Sequence, residues 1–70
     1  MIVELSTGHV FESESVKAIT PIVKDGYYRV FEVIGVGYRV TIAREFFKEE
    51  CFKQLHDEFV EKLLKGNQNG

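Results

Sequence analysis

Apolar and polar positions alternate through residues 27–43 in two runs, YYRVFEVI and YRVTIA, with a Gly-Val-Gly stretch between them. The runs are dense in β-branched and aromatic residues, which fit a pleated, half-buried surface, so the stretch predicts a β-hairpin. Upstream, residues 2–5 and 9–12 read as a first hairpin, joined by Ser6-Thr7-Gly8, whose glycine tolerates positive φ. Residues 12–15 (Glu-Ser-Glu-Ser) form a polar break. Residues 16–23 (VKAITPIV) have strand composition, but Pro21 cannot donate to a ladder, which places this strand at an edge or a bulge. Lys24-Asp25-Gly26 is a turn signal between apolar runs.

The register of the central hairpin decides which side chains share a face, because a one-residue slip exchanges the two faces. A two-residue Gly35-Val36 turn sets Glu32 opposite Arg39, Phe31 opposite Val40, Val33 opposite Tyr38 and Arg29 opposite Ile42. The core face is then Tyr27, Phe31, Val33, Tyr38, Val40 and Ile42. The outer face holds Tyr28, Val30, Glu32, Ile34, Arg39 and Thr41. A three-residue loop would group Arg29, Phe31, Val33 and Arg39 outside. The first register is preferred because it pairs opposite charges and spares a buried glutamate.

From Glu45 onward the period becomes helical. Phe47, Cys51, Leu55, Phe59 and Leu63 recur every four residues, and Phe52, Val60 and Leu64 widen the stripe. Glu45, Glu49 and Glu50 fall in the early turns and Lys62 and Lys65 in the last, as the helix dipole favours. Gly66 takes the C′ place, and residues 67–70 read as a disordered polar tail. The prediction is one α+β domain over residues 1–66: a curled antiparallel sheet of about five strands with one C-terminal amphipathic helix packed on it. A small barrel-like (SH3-like) closure and an open α+β arrangement both satisfy the pattern.

Composition adds bounds. Seventy residues with a single cysteine, Cys51, leave no internal disulfide, and no Cys/His grouping has the spacing of a structural zinc site. A chain this small without a staple needs a well-packed core or self-association, and a homodimer is expected. No run of apolar residues is long enough to span a membrane, no basic n-region opens the chain, and the lone thiol suits the cytoplasm. The net charge of −2 is uneven. Residues 16–44 carry five cations against two acids, while both flanks are acidic. This is not the footprint of a protein that lives on phosphate contacts.

Candidate chemistry is sparse. Cys51 and His56 are five apart on a helix, roughly 140° around its axis, whereas ligands on one face need spacings of three or four. They read as a small core residue and a boundary residue. Glu45/Glu49 and Asp57/Glu61 share helix faces but are interleaved with lysines, as on a solvated surface. Gly35-Val36-Gly37 lacks the following helix of a phosphate loop. Ser6-Thr7-Gly8-His9 lacks the oxyanion donors and orienting acid of a catalytic pair. No catalytic residue, cofactor or metal site is assigned.

The richest constellation is Arg29, Arg39 and Arg44 with the sheet tyrosines, residue types that dominate protein interfaces. The sequence therefore predicts a non-enzymatic protein-interaction module, in the manner of a small bacterial or phage regulator or inhibitor. Its partner-binding residues are Tyr28, Val30, Ile34, Arg39, Arg29 and Arg44. Strand 16–23 is the guarded edge and strand 1–5 the open one. The alternative is a nucleic-acid-binding module that uses the basic and aromatic hairpin.

Overall fold

The computed structural model describes residues 1–65. The helix cap assigned to Gly66 and the polar tail lie outside the described residues. Strands β1 (Ile2–Glu4) and β2 (Val10–Glu12) pair as an antiparallel hairpin, with Gly8 at φ 94° in its loop. A 3-10 turn, Ser13–Ser15, leads into a second antiparallel sheet of β3 (Val16–Ile19), β4 (Val23–Asp25), β5 (Tyr28–Gly35) and β6 (Tyr38–Glu45). A 3-10 turn, Phe46–Lys48, precedes helix α1 (Glu49–Val60), which continues as a π-helical turn, Glu61–Lys65. The fold is α+β: two antiparallel sheets, six short strands and one C-terminal helix, with no closed barrel among the described residues.

The break at Pro21 splits the third strand in two. Both pieces pair with the same edge of β5, β3 along its second half and β4 along its first. Thr20 bridges the gap: its amide donates to the Glu32 carbonyl (2.9 Å), and its hydroxyl accepts from the Glu32 amide (2.8 Å). The proline thus sits in an edge element, where a missing donor costs no ladder bond.

The β5–β6 register differs from the expected one by two residues. Gly35 pairs with Tyr38 and Ile34 with Arg39 around a Val36-Gly37 loop, and Phe31 pairs with Ile42. Gly37 holds the positive φ (81°) that the second central position of a type II turn needs. Gly35 stays in the strand, because the Tyr38 ring lies over it and a Cβ there would come within 2.0 Å of the ring. A two-residue shift preserves face identity, so the predicted faces survive although the partners do not. Glu32 and Arg39 still meet as a diagonal pair, Arg39 Nε standing 3.8 Å from Glu32 Oε2.

Phe31, Val33 and Ile42 on the inner face of the sheet form the core with Leu5, Phe11, Val16, Phe52, Phe59 and Leu63. Tyr38 and Val40 pack on its margin, but Tyr27, expected in the core, occupies the β4–β5 loop and is exposed. The helix starts later than expected. Glu45 is the last residue of β6, opposite Tyr28, so Glu45 and Glu49 do not share a helix face. Cys51 is exposed, contrary to the core assignment. A row of residues four apart drifts by about 40° per step, so the start of the stripe lies off the face that Phe52, Phe59 and Leu63 bury.

Glu58 clamps the first hairpin to the helix. The Ser6 amide and hydroxyl donate to its two carboxylate oxygens (2.9 and 2.5 Å), and Lys62 donates at 3.1 Å. Partial burial pushes the Glu58 carboxyl up, but the Ser6 and Lys62 contacts outweigh it and hold its pKa below the ordinary glutamate value. A depressed folded-state pKa stabilises the fold above the unfolded value of about 4.3, and that contribution is lost as pH falls through the folded one. Thermal melts from about pH 6 down to pH 3 should show this loss, and Glu58→Gln should flatten part of the slope. Ser6→Ala should cost about 1 kcal/mol at neutral pH, and an unchanged melt would contradict the clamp.

Candidate functional site

Four aromatic side chains meet in solvent at the end of the main sheet, where the β4–β5 loop and the β6–α1 connection lie side by side. The Phe46 amide donates to the Tyr27 carbonyl (2.9 Å) and holds the two connections together. Tyr27 is 52% exposed, Tyr28 47%, Phe46 47% and Phe47 61%. Their rings touch edge to face, with centroids 5.2 Å apart for Tyr27–Tyr28, 5.3 Å for Tyr27–Phe46 and 5.7 Å for Phe46–Phe47. Such contacts order the rings against one another but leave most of their apolar surface in water. Water contact on this scale is unfavourable, at roughly 25 cal/mol for each Å² left uncovered.

The cluster continues onto the outer face of the main sheet. Tyr28 belongs to both. Val30 follows it on that face, opposite the exposed Val23 of β4, and Ile34 follows further along β5. Val30 and Ile34 are half-buried but do not pack on the core, and Arg39, opposite Ile34, is exposed.

The structure therefore places Tyr28, Val30, Ile34 and Arg39 of the expected binding set along one face of the sheet, with Tyr28 at one end and Ile34 and Arg39 near the other. It separates Arg29 and Arg44 from them. These two face each other across β5 and β6 on the inner face, beneath the start of the helix. Arg29 Nε stands 3.4 Å from Glu49 Oε1, its guanidinium donates to the Gly26 and Tyr28 carbonyls (3.2 and 3.0 Å), and it lies 5.9 Å from the Phe46 ring centroid. Arg44 donates to the Ala43 carbonyl at 2.7 Å. Arg29 thus supports the aromatic end from below, while Arg44 lines a cavity of about 300 Å³ with Ser6, Thr7, Lys48 and Cys51. The three arginines do not form one basic surface, because alternation puts residues 29 and 39 on opposite faces in this register.

The remaining candidates have structural partners. His56 donates from Nε2 to the Thr20 carbonyl (2.8 Å) and sets its ring edge-on to Phe31, tying the helix to the proline break. His9 Nδ1 lies 2.7 Å from the Thr7 hydroxyl, while Ser6 is engaged by Glu58, so the serine and histidine of the first loop belong to separate pairs. Among the described residues, no three His, Cys, Asp or Glu side chains converge on a metal-sized site, and no helix is long and apolar enough to cross a membrane.

Sequence reasoning missed this end because it assigned Tyr27 to the core face of the hairpin and Phe47 to the helical stripe, and gave Phe46 no place. The available signal was adjacency. Tyr27-Tyr28 and Phe46-Phe47 are neighbours in sequence, and two neighbours cannot both face one core. No protein-family model, curated protein or solved structure matches this chain.

Proposed function

We propose that this chain is a small non-enzymatic protein-interaction module, of the regulator or inhibitor kind, that binds another protein through its aromatic end and the adjoining outer sheet face. One observation carries the reading: Tyr27, Tyr28, Phe46 and Phe47 are ordered against one another yet about half exposed. Exposed rings already held in place lose little rotamer freedom on binding, and aromatic anchors are enriched among the residues that carry interface energy. Val23, Val30 and Ile34 extend the apolar area towards the size of a partner footprint, and Arg39 and Glu32 supply a polar rim.

The test is affinity capture from cell extract with the wild-type chain and Phe47→Ala side by side, at low and high salt. Phe47 is the most exposed ring of the four and contributes nothing to the core, so the variant should fold normally. A protein retained by the wild type at both salt concentrations and lost with Phe47→Ala is the expected result. Equal capture by both forms, or capture of nucleic acid that collapses as salt rises, would overturn the reading.

A further inference from the structure

The two edges of the main sheet are unlike. One is made of β3 and β4, four and three residues long, with a register shift between Val16 and Ala18 and the gap at Pro21. The other is β6, eight residues whose register against β5 runs without a bulge from Tyr38 to Glu45. Among the described residues β6 pairs with β5 alone. Short, kinked, proline-bearing edges resist further pairing, whereas a long regular edge invites it.

The backbone groups that β6 offers can be read from the hairpin. Gly35 and Tyr38 close a two-residue loop, so they exchange both ladder bonds, and the alternation continues along the strand. Tyr38, Val40, Ile42 and Arg44 therefore direct their backbone groups at β5. Arg39, Thr41 and Ala43 direct theirs outward.

We infer that this edge joins two copies of the chain, β6 against β6 in antiparallel register with Thr41 opposite Ala43 of the second copy. A two-fold pairing must set outward residues opposite outward residues, which leaves few registers. The one centred on Ile42 places Arg39 opposite Glu45 of the second copy, twice by symmetry, so the strand is complementary in charge to itself. Centring on Thr41 instead sets Arg39 against Ala43 and forms neither ion pair.

A second observation points to the same edge. Two shallow openings, one of about 300 Å³ lined by Arg44 and Cys51 and another of about 400 Å³ lined by Phe11, Tyr38 and Val40, both border this strand. A second copy laid along β6 brings its own inner layer beside both openings. The inference does not depend on the aromatic end, which serves a different partner in the reading above.

The test is sedimentation equilibrium of the full chain over a concentration series, with three variants. Thr41→Pro removes an amide that makes no bond to β5 and blocks the added strand, so it should be a folded monomer. Arg39→Glu should weaken dimerisation about tenfold by setting like charges opposite each other twice, and Arg39→Glu/Glu45→Arg should restore it. A dimer that shows this loss and rescue supports the inference, even if Thr41→Pro fails to fold. A wild-type chain that stays monomeric at high concentration, a folded Thr41→Pro that still dimerises, or a double variant without rescue would overturn it. None of these outcomes bears on whether Phe47→Ala loses a captured protein.

Discussion

Phe59→Ala should lower the thermal midpoint by roughly 12–40 °C, or leave the domain unfolded at ambient temperature. Phe59 is fully buried and is the ring at which the layers meet. It stands edge-on to Phe31 of β5 at 5.3 Å and to Phe11 of β2 at 6.3 Å. Truncating a buried phenylalanine to alanine costs about 3–5 kcal/mol, the lost transfer energy plus the cavity left behind. A domain of this length has roughly 3.5–10 kcal/mol of total stability, so a single truncation removes much of it. Cys51→Ala, at an exposed position of the same helix, should stay within about 0.5 kcal/mol of the wild type. Far-UV circular dichroism melts of both variants make the comparison. A Phe59→Ala domain that melts within a few degrees of the wild type would mean that the hairpin, helix and sheet do not share one core.

The second large effect is expected at Gly35, and its size should depend on what stands at position 38. An alanine Cβ at position 35 would lie 2.0 Å from Tyr38 Cζ and 2.4 Å from its hydroxyl. The ring is not free to swing away. The Ser15 hydroxyl gives its proton to the Glu12 carbonyl (2.7 Å), so the Tyr38 hydroxyl donates to Ser15 Oγ (2.7 Å), and the ring stacks on Phe11 at 6.1 Å. Gly35→Ala should therefore cost about 1–3 kcal/mol, the usual range for overpacking. In a Tyr38→Ala background the same substitution should cost nothing, or stabilise by a few tenths of a kcal/mol, because alanine loses less backbone entropy than glycine in a strand. Chemical denaturation of the four members of this double-mutant cycle gives the coupling energy directly. A cost that persists without the tyrosine ring would place the strain in the backbone instead.

The fold class was legible because two periods, alternating and helical, change over at a definite point in the chain. The helix boundary was not, since Glu45-Phe46-Phe47-Lys48 suits a strand end, a 3-10 turn and a first helical turn equally on residue type. Tertiary pairing of Phe46 with Tyr27 decides it. The face assignment along β5 and β6 survived an error in register because the error was an even number of residues. The glycine that turns the chain was misjudged for a related reason. Both Gly35 and Gly37 can take positive φ, and only the contact between Tyr38 and Ser15, far apart in sequence, shows which of them must stay flat. Of the expected binding residues, the shared outer face of Tyr28, Val30, Ile34 and Arg39 was readable from strand alternation. The part set by loops was not. Tyr27, Phe46 and Phe47 come together only when two connections from distant parts of the chain meet.

The most direct test of the central claim is a calorimetric titration of the captured protein against the wild-type chain, Phe47→Ala and Lys53→Ala. Lys53 is an exposed helix residue that pairs with Glu50 and takes no part in the ring contacts of the aromatic end, so Lys53→Ala controls for surface change as such. Loss of an aromatic anchor at about 2 kcal/mol predicts an affinity about 30-fold weaker for Phe47→Ala, with Lys53→Ala equal to the wild type. Identical affinities for all three would mean that the partner binds elsewhere and that the exposed aromatic end is not the interaction surface.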